Sequence, residues 1–270
     1  VKRAAELIAS AERPFLYVGG GVISAGAGEE LVKLAETIGA PIGASMMGLS
    51  AVPNDHPLFL GMTGMHGRYA ASLALDRSDL IIAVGRRFSD RATGNKQEFS
   101  KDHKVLHIDI DPAEIGKNIP AYVALVADVK QALAALNALG LPHSDPAWLA
   151  EVQALKAAPD NRLTMNPEKL NPELVIRAIN RRLPADSPVA TDVGQHQMWV
   201  AQYYSFGRPR TFITSGGLGT MGFGMGAAMG ACIGTGLKKT VLFTSDGSFH
   251  MNLNELATAV ANRLPLVVVV

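Results

Sequence analysis

The chain has almost no cysteine. Cys232 stands alone among 270 residues, which excludes an internal disulfide and a metal cluster built on thiolates and leaves it the role of a small core residue. Charge imbalance is missing too: 25 Lys and Arg face 24 Asp and Glu. That makes no field to attract nucleic acid or an anionic membrane, so neither is expected as a partner. No secretory signal opens the chain, because Val1-Lys2-Arg3 runs straight into an amphipathic helical pattern. The uncharged stretch from Thr211 to Leu237 is long enough to cross a bilayer, yet it holds nine glycines and few branched aliphatics, a poor lipid-facing helix. Tandem repeats, low-complexity tracts and charge blocks are absent. There is no initiator methionine, and the chain ends on Val267 to Val270, four valines that would leave an aggregation-prone edge. The expectation is a piece of a longer polypeptide.

What remains, 48% hydrophobic and 18% charged residues, is a globular composition, and the length suits two domains of ~100–200 residues each. The most informative stretch runs from Val241 to Leu256. Val241, Leu242 and Phe243 read as a buried strand. Asp246, Gly247 and Ser248 read as a turn, with Gly247 free to take a positive φ, and Phe249, Leu253 and Leu256 as the stripe of a following helix. This sets a carboxylate at the carboxyl end of a strand and a hydroxyl at a helix start, where an open α/β sheet binds ligands. A helix start suits a phosphate and a carboxylate oxygen suits Mg²⁺. The alternative is a capped turn in which Asp246 or Ser248 only satisfies backbone donors.

The rest of the chain alternates strands and helices. Helix Ala4–Ala11 precedes strand Pro14–Val18, then come Gly19-Gly20-Gly21 and a helix from about Ala25 to Ile38. Pro41–Ser45 is a strand ending near Met46-Met47-Gly48, and Gly61-Met62-Thr63-Gly64-Met65-His66-Gly67 is a glycine-rich loop opening a helix. Strand Leu80–Val84 leads into Gly85-Arg86-Arg87-Phe88-Ser89-Asp90-Arg91, strand Val105–Ile110 into Asp111-Pro112, where Pro112 can open a helix, and Leu125–Asp128 is one more short strand. The fold class is therefore α/β: a doubly wound, parallel, Rossmann-like sheet with its loops gathered at one edge. Gly21, Met47, Met65, His66, Arg87, Arg91, Asp109 and Asp128 lie in those loops and strand ends and could line a groove for a long dinucleotide. Taken singly, each has another reading: His66 capping its own helix, Met46, Met47 and Met65 filling the core, Arg87 and Arg91 pairing with Asp90.

Pro142, Pro146, Pro159 and Pro167, with Asp160 and Asn161, mark a boundary. The expected division is a first domain over 1–145, a linker over 146–170 carrying a helix from Pro146 to Ala157 capped by Asp145, and a second domain over 171–270. In the second, Asn171 caps a helix to Arg182, Pro188–Thr191 and Thr211–Thr214 are strands, and Asp192 to Trp199 opens a helix. Ser215 to Gly222 turns into a helix whose Gly222, Gly226 and Gly230 share a face that permits close approach.

Four stretches carry a family resemblance: Gly64-Met65-His66-Gly67, His107 to Lys117, Asp192 to Trp199 and Ser215 to Gly222. With the Asp246-Gly247-Ser248 turn, they make the chain resemble the large catalytic subunit of acetohydroxyacid synthase (acetolactate synthase), a thiamine diphosphate enzyme of branched-chain amino acid biosynthesis. The match spans about residue 10 to 270. It implies a central FAD-binding domain followed by the first half of the diphosphate-binding domain.

For the flavin, the resemblance implies contacts from Gly20, Gly21, Met46, Met47, Gly64, Met65, His66, Gly85, Arg87, Arg91, Asp109, Ile110 and Asp128, with Gln197 and Met198 reaching it from the second domain. It implies that Val193, Gly194, Gln195, His196, Gly219 and Met221 meet thiamine diphosphate, Met221 being the bulky residue that bends the cofactor. Asp246 would bind Mg²⁺, and Gly247 and Ser248 the diphosphate. Pyruvate and a second 2-ketoacid as substrates, a homodimer or larger assembly, a small regulatory subunit and a bacterial cytoplasmic location follow from the same resemblance.

Departures are visible. Ser245 stands where the family usually has Gly, which would strain a positive φ by ~1–3 kcal/mol, and Met225-Gly226 replaces the usual Leu-Pro. The family's activating Glu belongs to a domain that this chain lacks, and its second metal ligand falls just beyond Val270. Other readings are a glyoxylate carboligase, a pyruvate oxidase or a noncatalytic flavin-binding module. A sirtuin-like deacylase, suggested by the run Gly19 to Gly28, fails for want of paired Cys zinc ligands and an Asn-x-Asp loop.

Overall fold

Apolar runs of three to six residues, most of them ended by glycine or a polar turn, form ten parallel strands in two sheets among the described residues. The computed structural model describes residues 1–99, 101–160, 166 and 168–270. They fall into two compact units, Val1–Thr164 and Met165–Val270. Asn161 and Pro167, read as linker punctuation, lie outside the described residues.

The first unit contains α1 (Lys2–Ala9), β1 (Pro14–Val18), α2 (Gly20–Ala25), α3 (Gly28–Ile38), β2 (Ile42–Ala44), β3 (Phe59–Met62), α4 (Tyr69–Asp76), β4 (Leu80–Val84), α5 (Asp90–Thr93), α6 (Lys96–Phe99), β5 (Lys104–Asp109), β6 (Val123–Val126), α7 (Val129–Asn137) and α8 (Pro146–Ala157). Its strands lie in the order β3-β2-β1-β4-β5-β6. The chain winds outward from β1 through β2 to β3, then returns to the other side of β1 with β4. The order therefore reverses between β1 and β4, where Pro14 to Val18 pair with Leu80 to Val84 in unbroken register. Both strands are buried along their whole length, as strands covered on both faces must be. Helices α3 and α7 pack together, as do α4 and α8.

Helix α8 begins as the sequence implies, with Asp145 accepting from Ala147 N at 2.8 Å and Pro146 at the first turn. It belongs to the first unit: Trp148 is buried among Phe15, Tyr17 and Ala74, and its indole N–H donates to the Pro14 carbonyl at 3.0 Å.

The second unit contains α9 (Pro172–Asn180), β7 (Val189–Thr191), α10 (Gln195–Tyr203), β8 (Phe212–Thr214), α11 (Phe223–Gly234), β9 (Thr240–Phe243), α12 (Asp246–His250), α13 (Leu256–Ala261) and β10 (Leu266–Val269). Asn171 caps α9 by accepting from Leu174 N at 3.0 Å. The strand order is β10-β9-β7-β8, so here the reversal falls between β7 and β9. Helix α11 covers β7, β8 and β9. Its closest approach is through Gly224, where a Cβ would stand 2.7 Å from Leu242 Cδ1. Gly226 and Gly230 have open space instead, so the glycine repeat is not what seats the helix on its own sheet. Cys232 is fully buried.

Several local expectations are corrected. The helix expected from about Ala25 starts at Gly28 as α3, and the preceding stretch from Gly20 to Ala25 is a separate helix, α2, ended by Gly26 at a left-handed φ of 61°. Strand β3 escaped notice because Gly61, at φ 98°, and a register shift against β2 interrupt its pattern. Pro112 opens a run of turns rather than a helix. Asp128 is not in a strand; it is the N-cap of α7 and accepts from Gln131 N at 3.0 Å. The helix expected from Phe249 to Leu256 breaks into α12, a 3-10 turn at Leu253–Glu255 and α13. No helix among the described residues is long and apolar enough to cross a membrane.

Trp148→Ala removes a large side chain and leaves the Pro14 carbonyl unpaired. It is expected to destabilise the first unit by about 3–5 kcal/mol, measurable by urea denaturation of the chain.

Candidate functional sites

Because every strand in the first unit is parallel, every strand's carboxyl end faces the same edge. Gly20 and Gly21 follow β1; Met46 and Met47 follow β2; Gly64, Met65 and His66 follow β3; Gly85, Arg87 and Arg91 follow β4; Asp109 ends β5 and Ile110 follows it; Asp128 follows β6. At the β1/β4 reversal the two glycine loops touch. Gly21 N donates to the Gly85 carbonyl at 2.9 Å. A Cβ at Gly19 would stand 2.2 Å from that oxygen, and one at Gly21 would stand 2.6 Å from Gly85 Cα. A reversal of this kind in an open parallel sheet is where a dinucleotide lies.

The β3 and β4 loops also meet, with Met65 N donating to the Arg91 carbonyl at 3.1 Å and Gly64 packed on Ala92. Arg87 and Arg91 are exposed and make no ion pair among the described residues; Asp90 instead accepts from the Arg91 backbone N at 2.9 Å. The surface-pairing reading of these arginines therefore fails. So does the core-filler reading for Met65 and Met47, which are 70% and 43% exposed. Asp109 is buried, accepts from Asp111 N at 3.0 Å and leads into Ile110, which is 68% exposed. Cations without ion pairs, an acid and bare apolar side chains along one edge fit a ligand with phosphates and flat rings.

The second unit assembles its own set at the β7/β9 reversal. Asp192 N donates to the Phe243 carbonyl at 2.9 Å, and Ser248 Oγ donates to the Val193 carbonyl at 3.1 Å, so the loops after β7 and β9 are bonded together. Gly194 precedes Gln195, which is exposed, and His196, whose ring packs on Gly194. Burial lowers the His196 pKa, while nearby Asp192 opposes the shift. From the β8 side come Gly219, at φ 71°, and Met221, whose methyl lies 3.5 Å from where a Cβ on Gly247 would be. Asp246 is exposed at the start of α12.

Two expectations about this turn are corrected. Gly247 lies inside α12 and is not among the positive-φ glycines, and Ser245 has φ −134° in extended backbone, so the Ser carries no strain. Gln197 is buried and its amide donates to Thr214 Oγ1 at 2.7 Å, while Met198 is half-buried. Among the described residues no group of three His, Cys, Asp or Glu stands ready to hold a metal. Asp246 would be a single carboxylate completed by diphosphate oxygens and water.

Sequence reasoning missed the residue that joins this site. Asp192 is 1% exposed, and its carboxylate accepts from Gly222 N at 2.8 Å and Gly224 N at 3.3 Å. It thereby caps α11 from the end of β7. An acid directly after a buried strand and before Val-Gly was the available signal.

Comparison with known proteins bears on both units. The profile "Thiamine pyrophosphate enzyme, central domain" matches residues 1–136, and "Thiamine pyrophosphate enzyme, C-terminal TPP binding domain" matches residues 192–270. The chain belongs to the thiamine pyrophosphate enzyme family. The "Probable acetolactate synthase large subunit" of Methanocaldococcus jannaschii is 43% identical over 99% of this chain and 47% of its own length. The Escherichia coli "Acetolactate synthase isozyme 3 large subunit" is 41% identical over 100% of the chain and 48% of its own length. The "Acetolactate synthase" of Mycobacterium bovis is 44% identical over 98% and 44%. The chain thus spans about half the length of the curated relatives it matches.

Asp192→Ala would orphan the Gly222 and Gly224 donors at about 1–3 kcal/mol each. Asp192→Asn, which keeps one acceptor, is expected to lose less. Urea denaturation of both variants checks the order.

Proposed function

We propose that this chain forms the central and first diphosphate-binding parts of an acetohydroxyacid synthase large catalytic subunit. The reaction is decarboxylation of pyruvate and ligation of the remaining two-carbon unit to a second 2-ketoacid. The observation that carries the reading is the β7/β9 junction, where Val193, Gly194, Gln195, His196, Gly219, Met221, Asp246, Gly247 and Ser248 converge in a chain that aligns end to end with acetolactate synthases. Thiamine diphosphate, when bound, supplies the electron sink for the chemistry.

The chain's residues supply placement. Asp246 would hold Mg²⁺, Gly247 and Ser248 would receive the diphosphate at the start of α12, and Met221 stands against Gly247 as the bulky side chain that would support the cofactor. Gln195 and His196 border the crevice from the β7 side. In the first unit the β1/β4 reversal would hold FAD in a structural role, with the exposed Arg87 and Arg91 available to its phosphates. On this reading the two units are the FAD domain and the start of the diphosphate domain, and the protein works in the cytoplasm.

Partners follow from two facts. Relatives at 41–43% identity are named large subunits, which supports a small regulatory subunit. On α11, Phe223 and Ile233 are 37% and 60% exposed beside the open Gly226 and Gly230, a smooth apolar face that supports pairing of two copies.

The full-length protein, supplied with thiamine diphosphate, Mg²⁺ and FAD, is expected to form acetolactate from pyruvate; release of acetaldehyde or acetate without carboligation would overturn the assignment. The 270-residue polypeptide by itself is expected to form none, since among the described residues no group of three His, Cys, Asp or Glu stands ready to hold the metal. Static light scattering should find the full-length protein at least dimeric, and a monodisperse monomer at high concentration would refute the pairing.

A further inference from the structure

The loop after β4 is held from within. The Arg86 carbonyl lies 3.0 Å from His107 Nε2; a carbonyl only accepts, so Nε2 carries the proton. The Arg87 carbonyl accepts twice from the Arg86 guanidinium, from Nε at 3.1 Å and Nη2 at 2.8 Å. The Phe88 carbonyl accepts from Asn118 Nδ2 at 2.7 Å, and Asn118 is itself engaged by Lys96 Nζ at 2.7 Å. Three successive carbonyls are thus pinned by side chains.

The Arg86 guanidinium is 4% exposed, stands 3.5 Å from the centre of the Tyr17 ring and 5.2 Å from that of Phe88, and has no carboxylate partner among the described residues. Its Nη1 has no partner among them either. Burying a cation without a counter-ion carries a desolvation cost that its hydrogen bonds offset only in part, so net stability is not what this side chain supplies. Its two bonds to Arg87 instead fix backbone direction. With those carbonyls turned inward, Arg87 alternates outward and is exposed between two buried neighbours. The Arg86 backbone also occupies the space a Gly19 side chain would need, its Cβ 2.3 Å from that point, so the same residue ties the β4 loop to the β1 loop.

We propose that Arg86 is a positioning residue that, with His107 and Asn118, holds the Arg87–Arg91 loop in the shape that presents Arg87 and Arg91 to an anionic dinucleotide. This rests on the flavin reading of the first unit.

The test uses the full-length protein and FAD. Wild type, Arg86→Met, Arg86→Lys and Asn118→Ala are compared by FAD titration of flavin fluorescence, by the unfolding midpoint without FAD, and by amide hydrogen exchange over residues 87–93 without FAD. Arg86→Met is expected to keep or raise the midpoint, to exchange faster over the loop and to bind FAD about tenfold more weakly. Arg86→Lys keeps the charge but not the two-pronged contact and is expected to rescue little of that loss. Asn118→Ala, on a half-exposed side chain, should show the same pattern more mildly, and it carries the test if Arg86→Met does not fold. Unchanged FAD affinity and loop exchange in the variants would overturn the proposal, as would an affinity loss matched by a fall in midpoint. A wild-type protein that takes up no FAD would overturn the flavin reading, and the proposal with it; binding by wild type and variants alike overturns the proposal alone.

Discussion

The backbone of Gly19 to Gly21 lies directly on Gly85, and the first unit's functional edge depends on that contact. Side chains at Gly19, Gly21 or Gly85 would sit inside van der Waals radii, at 2.2–2.7 Å from backbone atoms of the opposite loop. Glycine there lets β1 and β4 run side by side to their ends and lets their loops cross the sheet edge instead of splaying. Met46 and Met47 are drawn into the same junction, since a Cβ on Gly48 would stand 2.5 Å from the Val18 carbonyl and one on Gly20 would stand 3.2 Å from Met47 Cβ. A bulkier residue at Gly21 or Gly85 would separate the loops on which Arg87 depends.

The second unit meets the same topological problem with different chemistry. Its reversal lies between β7 and β9, and the strand ends are joined by Asp192 and Ser248 rather than by bare backbone. A carboxylate almost wholly buried is costly unless its oxygens are satisfied. Asp192 satisfies them on the first turn of α11, where the N–H groups are otherwise unpaired. The cap fixes where α11 starts, and with it the Gly219–Met221 segment. Asn252 reinforces this by donating to the Gly222 carbonyl. One buried acid therefore sets the spacing between the residues after β7, β8 and β9.

Much of this was legible in the sequence where local rules are strict. Asp145-Pro146 and Asn171-Pro172 start helices because an acceptor followed by proline suits little else, and the apolar runs at Leu80–Val84 and Val241–Phe243 are strands because both faces are covered. The parallel sheet and its loaded edge followed from that alternation. What stayed hidden depends on tertiary context. Gly61 reads as a loop residue yet sits in β3, because a bulged edge strand tolerates its φ. Gly247 reads as a turn but is helical, since α12 begins one residue earlier. Arg86 and Arg87 are spelled alike, and nothing in the sequence says that the first side chain turns inward over Tyr17 while the second is exposed. The bond from Gly222 N to Asp192 spans 30 residues of chain, so two loops must fold before the cap can form.

Burial pulls the Arg86 pKa down to about 9, because its surroundings replace water poorly. The rings of Tyr17 and Phe88 return some of that, on the order of 0.5–2 kcal/mol for a cation over an aromatic face. The two bonds to the Arg87 carbonyl return more, yet a neutral apolar core would need neither. The large apolar side chains left bare nearby have a matching logic. Met47, Met65 and Ile110 at the first sheet's carboxyl edge, and Leu218, Met221 and Met251 around the second's, are each 43–90% exposed, while the strands beneath them are sealed. Single exposed apolar residues are ordinary, and these follow the carboxyl ends of strands whose own side chains are covered. The same parallel geometry that gathers the polar groups at the strand ends leaves those side chains uncovered, while the Arg86 guanidinium, bonded twice to the Arg87 carbonyl, fixes the backbone from which the exposed Arg87 projects.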